Sequence, residues 1–134
     1  MKDLYHNILP AQSLAPQATT ATRNGTGVDL QGYESASVQL SVGAWTDGSH
    51  TPKLQESSDN SAWSDVAASD QLGSFTAITG TGQQNAEQLV GYIGSKRYIR
   101  PVVTVTGATT GAVIGASVIK GHPRFAPAGQ VTAP

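Results

Sequence analysis

Three histidines, His6, His50 and His122, are the groups best suited to proton transfer or metal binding near neutral pH. Each stands in a terminal or turn-like stretch, and none has a second histidine or a carboxylate at metal-ligand spacing. Asp47 and His50 share one turn, but zinc takes three or four protein ligands. The pair therefore reads as a solvated turn. A Ser-His-acid triad assembles in space and leaves no fixed spacing, yet no Gly-x-Ser-x-Gly elbow is present. Gly91-Tyr92-Ile93-Gly94-Ser95-Lys96 imitates a phosphate loop, but its glycines are too close and a strand follows where a helix N-terminus is needed. It reads as a tight turn between strands. The expectation is a chain with no catalytic residue, no cofactor and no metal.

Lys96, Arg97, Tyr98 and Arg100 form a small basic-aromatic cluster. On a strand Tyr98 and Arg100 share a face, and such a pair can touch a phosphate backbone. The whole chain carries a net charge of −1, so it lacks the basic footprint of a nucleic-acid binder. The cations are expected to lie along apolar surface or to pair with acids. Most acids precede residue 71 and most cations follow residue 95, so opposite charges could join subunits if the fold kept those halves apart. Met1 to Pro10 has no apolar run long enough for a secretory signal, and Pro101 to Ile119 is broken by Thr and Gly. No membrane or nucleic-acid partner is expected, and synthesis in a cytoplasm is. Asn24-Gly25-Thr26 matches a glycosylation sequon without that context.

The elements that would position these groups are strands. At 134 residues the length is that of one domain. Only 13% of residues are charged, about half the usual share, and Gly, Ala, Ser and Thr fill the difference. There is no cysteine, which excludes disulfides and thiolate metal sites. Ala36, Val38, Leu40, Val42 and Ala44 alternate with Ser37, Gln39, Ser41 and Gly43, the period of a half-buried strand. Trp45 and the turn Thr46-Asp47-Gly48-Ser49 follow. Lys53 to Val66 predicts a hairpin around Ser58-Asp59-Asn60-Ser61. Gln88 to Ile93 predicts a strand, and Arg97 to Lys120 a second hairpin about Gly107–Gly111. Pro101 cannot donate a ladder hydrogen bond, which predicts an edge or a bulge there. No helix longer than one turn is expected, at Gln83–Leu89. Short strands separated by turns predict an antiparallel β-sandwich or jelly roll over 21–121. An extended N-terminal arm, 1–20, and an extended C-terminal tail, 122–134, would flank it, since such termini fray unless tied down.

The hairpin Leu54-Gln55-Glu56-Ser57-Ser58-Asp59-Asn60-Ser61-Ala62-Trp63 resembles the strand-turn-strand of discoidin-like jelly rolls, with Asn60 where Gly is usual. It implies a sandwich with Trp63 packed under the hairpin. A wider resemblance spans roughly Tyr33 to Arg124. It is carried by Ser37-Val38-Gln39-Leu40, Gly43-Ala44-Trp45-Thr46-Asp47-Gly48, Leu54-Gln55-Glu56-Ser57, Ala62-Trp63-Ser64-Asp65-Val66, Lys96-Arg97-Tyr98-Ile99-Arg100 and Val118-Ile119-Lys120-Gly121-His122-Pro123-Arg124. It resembles small virion proteins of tailed bacteriophages and prophages. That resemblance implies a non-enzymatic decoration (cement) protein on the capsid exterior. Its implied partners are the major capsid protein and itself, as a symmetric dimer or trimer. The expected interface anchors are the bulky groups of the two arms: Tyr5, Ile8, Leu9, Leu14, Arg124 and Phe125. Two other readings are carried beside it. One is a head–tail or tail component of the same virion. The other is a carbohydrate-binding module for host attachment, for which Trp45 would need to be exposed.

Overall fold

The computed structural model describes residues 2–124, and Phe125 lies outside them. The chain is an all-β sandwich of two antiparallel sheets. Its strands are β1 (Ile8–Thr19), β2 (Arg23–Asn24), β3 (Val28–Asp29), β4 (Tyr33–Trp45), β5 (Ser49–Ser57), β6 (Ser64–Asp65), β7 (Gln71–Leu72), β8 (Ala86–Tyr92), β9 (Tyr98–Thr106) and β10 (Ala112–Pro123). The first sheet has the order β1-β10-β4-β8-β7. The second has the order β2-β9-β5-β6, with β3 also on β9. One-turn 3-10 helices stand at Ala68–Asp70 and Thr81–Gln83.

Period two in β4 builds half of the core. Ala36, Val38, Leu40 and Val42 point inward and are buried, and Ser37, Gln39 and Ser41 point outward. Facing residues from β1, β9, β10 and the 73–80 segment complete one cluster around Leu14, Leu40, Ile78, Val103 and Ile114. A second cluster gathers Val28, Val38, Leu54, Tyr92, Ile99 and Val118. Phe75 packs against both. The alternation fails at Ala44, which is exposed. A register shift sets Val42 opposite Ile114 and Trp45 opposite Ala112. The extra residue turns the strand over, and Trp45 packs on the core where strict alternation would put Ala44.

Three expectations change. The stretch 1–20 is extended, but from Ile8 to Thr19 it is the edge strand of the first sheet, in antiparallel register on β10. Arg23 fastens it, donating to Ala15 O at 2.8 Å, Thr19 Oγ1 at 3.0 Å and Ile114 O at 3.0 Å. Pro10 and Pro16 blunt its open side. Pro16 lies so close above β10 that a Cβ on Gly115 would sit 2.9 Å from its ring.

Next, β9 and β10 are strands, but they do not pair with each other. They belong to opposite sheets, and Gly107–Gly111 is an arch between them. The Thr46–Gly48 turn is a second arch, from β4 to β5. Asp47 ties the two together. Its carboxylate accepts the backbone N–H groups of Thr109 (3.1 Å), Thr110 (3.1 Å) and Gly111 (2.7 Å), and the Thr109 hydroxyl at 2.9 Å. Gly111 is left-handed at φ 80° and presses against the Thr19 carbonyl, so only glycine fits.

Finally, Pro101 stands in a central strand. Leu54, opposite it, offers its carbonyl to Val66 N–H on the far side, so no ladder bond is required of Pro101 toward β5. On its other side the neighbour is broken between β2 and β3, where Gly25 N–H donates to the Pro101 carbonyl at 2.8 Å.

Leu40→Ala should cost about 3 kcal/mol of stability, and Gly115→Ala about 1–3 kcal/mol through overpacking under Pro16. Urea unfolding at pH 7 measures both. A cost at Leu40 below half that value would contradict its place at the centre of the core.

Candidate interaction surface

The antiparallel pairing of β1 with β10 sets Ile8 opposite Gly121, and that of β10 with β4 sets Pro123 opposite Tyr33. The start of β1 and the end of β10 therefore meet at one pole of the sandwich. Four of the expected anchors gather there. Tyr5 is 62% exposed in a turn closed by Asn7 N–H on the Leu4 carbonyl. Ile8 and Leu9 are half-buried at the start of β1. Arg124 is exposed and ion-paired with Glu34 at 2.6 Å. Leu14 is not an anchor. It is buried in the chain's own core, because β1 lies on the sandwich and turns that side chain inward.

Two hollows open at this pole, on either side of Ser35 and Ala36. One, about 360 Å³, lies between the Leu4–Asn7 turn and the outer surface of β10 and β4. The other, about 560 Å³, is walled by Leu30, Tyr33, Ile93, Lys96, Arg97 and Arg124. Its floor includes Tyr92, whose hydroxyl donates to Glu56 at 2.9 Å and accepts from Lys96 N–H at 2.9 Å. Burial, with the carboxylate of Glu56, pushes the Tyr92 hydroxyl up to about 12. Arg97 is engaged by Asp29 at 2.7 Å, and the guanidinium holds that carboxyl below its ordinary value. The acidic and basic halves of the sequence thus interleave: Arg97 meets Asp29 and Arg124 meets Glu34. They do not form separate faces.

Ser35 and His122 are hydrogen-bonded at 2.8 Å across β4 and β10, and His122 is left-handed at φ 50°. A serine nucleophile needs a base that is itself oriented. Among the described residues no carboxylate holds the other ring nitrogen. His50 is not a solvated turn residue. The strand begins at Ser49, so His50 alternates inward with Pro52 and Leu54 and is fully buried. Its Nε2 lies 3.0 Å from the Asp47 carbonyl, and its Nδ1 has no hydrogen-bond partner. Trp45, at the opposite pole, is partly buried, and its indole N–H donates to the Gly48 carbonyl at 3.0 Å. That ring is committed to the arch and is not an open sugar platform. The described residues hold no group of three or more His, Asp or Glu able to bind a metal, and no helix long and apolar enough to cross a membrane.

The two outer faces of the sandwich differ. On the second sheet Lys53, Asp65, Gln55 and Arg100 form a continuous polar chain. Lys53 pairs with Asp65 at 3.1 Å, Gln55 donates to Asp65 at 3.0 Å, and Arg100 donates to Gln55 at 2.8 Å. Arg100 also lies 4.4 Å over Trp63, below the hairpin whose Asn60 is left-handed at φ 60°. On the first sheet the outward row of β4 is Ser37, Gln39 and Ser41. It is flanked by Ser117 and Ile119 on β10 and by Glu87, Leu89 and Gly91 on β8. Leu89 is 64% exposed, and Leu72 and Ile93 beside it are similarly open. These apolar groups, with Leu4 and Lys96 at the pole, do not stand out in the sequence. Leu89 and Ile93 look like ordinary strand residues until the sheet shows which side is solvent.

Comparison of the sequence with protein-family models and with curated proteins finds no match.

Stability should fall between pH 10 and 12. In the unfolded chain Tyr92 ionises near 10, whereas the folded chain keeps the proton to about 12, so the unfolded state is favoured increasingly across that window. Tyr92→Phe should lose this component, and an unchanged alkaline midpoint would contradict it. At the acid end, the folded carboxyls of Asp29, Asp47, Asp59 and Asp65 are held low by hydrogen bonds. Their contribution is present above about pH 4 and fades as pH falls through the folded values. Asp47→Ala should therefore lower Tm at pH 7, with a smaller difference at pH 2.

Proposed function

We infer that the chain is a non-enzymatic structural protein of a tailed-bacteriophage virion. In this reading it decorates and stabilises the outer capsid through contacts to the major capsid protein. The observation that carries the reading is the pole where β1 starts and β10 ends. Leu4 and Tyr5 project there, beside the two hollows and the cations Lys96 and Arg124. A rigid sandwich presenting exposed apolar groups at one end suits repeated docking on a shell, with aromatic and aliphatic anchors entering the partner and charged groups at the rim. The sequence resemblance to small phage virion proteins points the same way. Many copies on one shell then reinforce it by multivalency. The protein would be made in the host cytoplasm and reside on the capsid exterior. A head–tail or tail position is the alternative within the same class.

The test is to mix purified protein with expanded capsids lacking it, sediment them and count the copies bound. Saturation at a large icosahedral number is expected. Tyr5→Glu combined with Leu4→Glu, which changes only exposed positions, should weaken binding at least tenfold. Copies confined to one vertex would favour a head–tail role, and no binding would overturn the decoration reading.

A further inference from the structure

The residues ahead of β1 form a closed turn with Asp3 at its head. The Asp3 carboxylate accepts the His6 backbone N–H at 3.3 Å and lies against the His6 ring nitrogen Nδ1. The Asp3 carbonyl accepts the Asn7 side-chain amide at 2.7 Å, and Asn7 backbone N–H donates to the Leu4 carbonyl at 3.0 Å. An aspartate that accepts the N–H three residues on has the geometry of a helix N-cap. His6 carries the arrangement further, because its ring stands edge-on to the Tyr5 ring with centroids 4.9 Å apart. The hydrogen bond with the His6 ring holds the Asp3 carboxyl below its ordinary value.

These bonds order the turn, while the two large apolar side chains it carries stay mostly in solvent. Leu4 is 65% exposed and Tyr5 62%. The far end of the turn is fixed to the sandwich. Ile8, the next residue, is in register opposite Gly121, and a Cβ on Gly121 would lie 3.7 Å from the Asn7 carbonyl oxygen. Leu4 and Tyr5 therefore have a set place on the molecule.

We propose, resting on the decoration reading, that Asp3 is a positioning residue which presents Leu4 and Tyr5, already ordered, to one apolar recess on the major capsid protein. Ordering a loose segment at the moment of binding costs conformational entropy, and a segment ordered beforehand avoids that cost. Apparent affinity scales with the fraction of molecules in the competent shape, and Asp3 sets that fraction without touching the partner. Leu4 and Tyr5 leave one turn at adjacent positions. The recess must therefore accept an aliphatic and an aromatic group side by side, with a polar group for the phenol.

The test pairs nuclear magnetic resonance of the free chain with a sedimentation titration on expanded capsids lacking it. In the wild type a nuclear Overhauser contact should join the Tyr5 and His6 rings. Asp3→Ala should lose that contact and bind the shell about fivefold more weakly, the loss expected for an aspartate cap. Its Tm should be unchanged, because residue 3 lies outside both sheets. Asp3→Asn keeps the acceptor and removes the charge, so it should restore both the ring contact and the affinity. An Asp3→Ala chain that binds as tightly as the wild type would overturn the positioning role and leave decoration standing. So would an Asp3→Asn chain as weak as Asp3→Ala, since charge alone would then explain the loss, or a wild type that binds without the ring contact when free. A wild type that does not bind at all would overturn decoration itself, and the role of Asp3 with it.

Discussion

The strict alternation of β4 is the constraint on which the rest depends. A strand can send successive side chains only to opposite faces, and β4 occupies the middle of its sheet with β10 and β8 bonded along its length. Its even positions from Ala36 to Val42 are apolar and buried, so its odd positions must face out. Those positions are Ser37, Gln39 and Ser41, with no charge among them. One register thus fixes both where the core sits and what the molecule shows on that side. A slip of one residue would exchange the two faces, burying three polar side chains and exposing Val38 and Leu40.

The neighbouring strands inherit this division. Val118, Ala116 and Ile114 of β10 extend the inward face, and Ser117 and Ile119 extend the outward one. The second sheet closes over the core and turns a charged, hydrogen-bonded surface to solvent. The chain crosses between sheets at both poles: at one through two arches held by the Asp47 carboxylate, at the other through the β3–β4 and β8–β9 connections. The second pole also carries the start of β1, the end of β10 and the two hollows. Both poles are tied internally, and the second also exposes Leu4 and Tyr5.

Much of this is legible in the residues. The period of Ala36–Val42, the Asn60 turn and the all-β class follow from local patterns. Pairing is less legible. The pattern of Arg97 to Thr106 and Ala112 to Lys120 predicts two strands with a glycine turn between them, and a hairpin and an arch look alike at that level. What decides is where Asp47 and the Thr19 carbonyl lie, and both are distant in sequence. The prolines of β1 suggest a free arm because they break ladders, but an edge strand tolerates them on its open side. Leu14 therefore belongs to the core and not to an interface. His50 is hidden for a simpler reason: the strand expected from Lys53 begins at Ser49, which carries His50 onto its inward face.

The central proposal is that the pole bearing Leu4 and Tyr5 docks on a capsid. Electron cryomicroscopy of virions that carry the chain tests it most directly. The account predicts that the pole bearing Leu4, Tyr5 and Arg124 rests on the shell. Copies seated by the Trp45 and Asp47 pole, or by the charged face of Lys53 and Arg100, would contradict it.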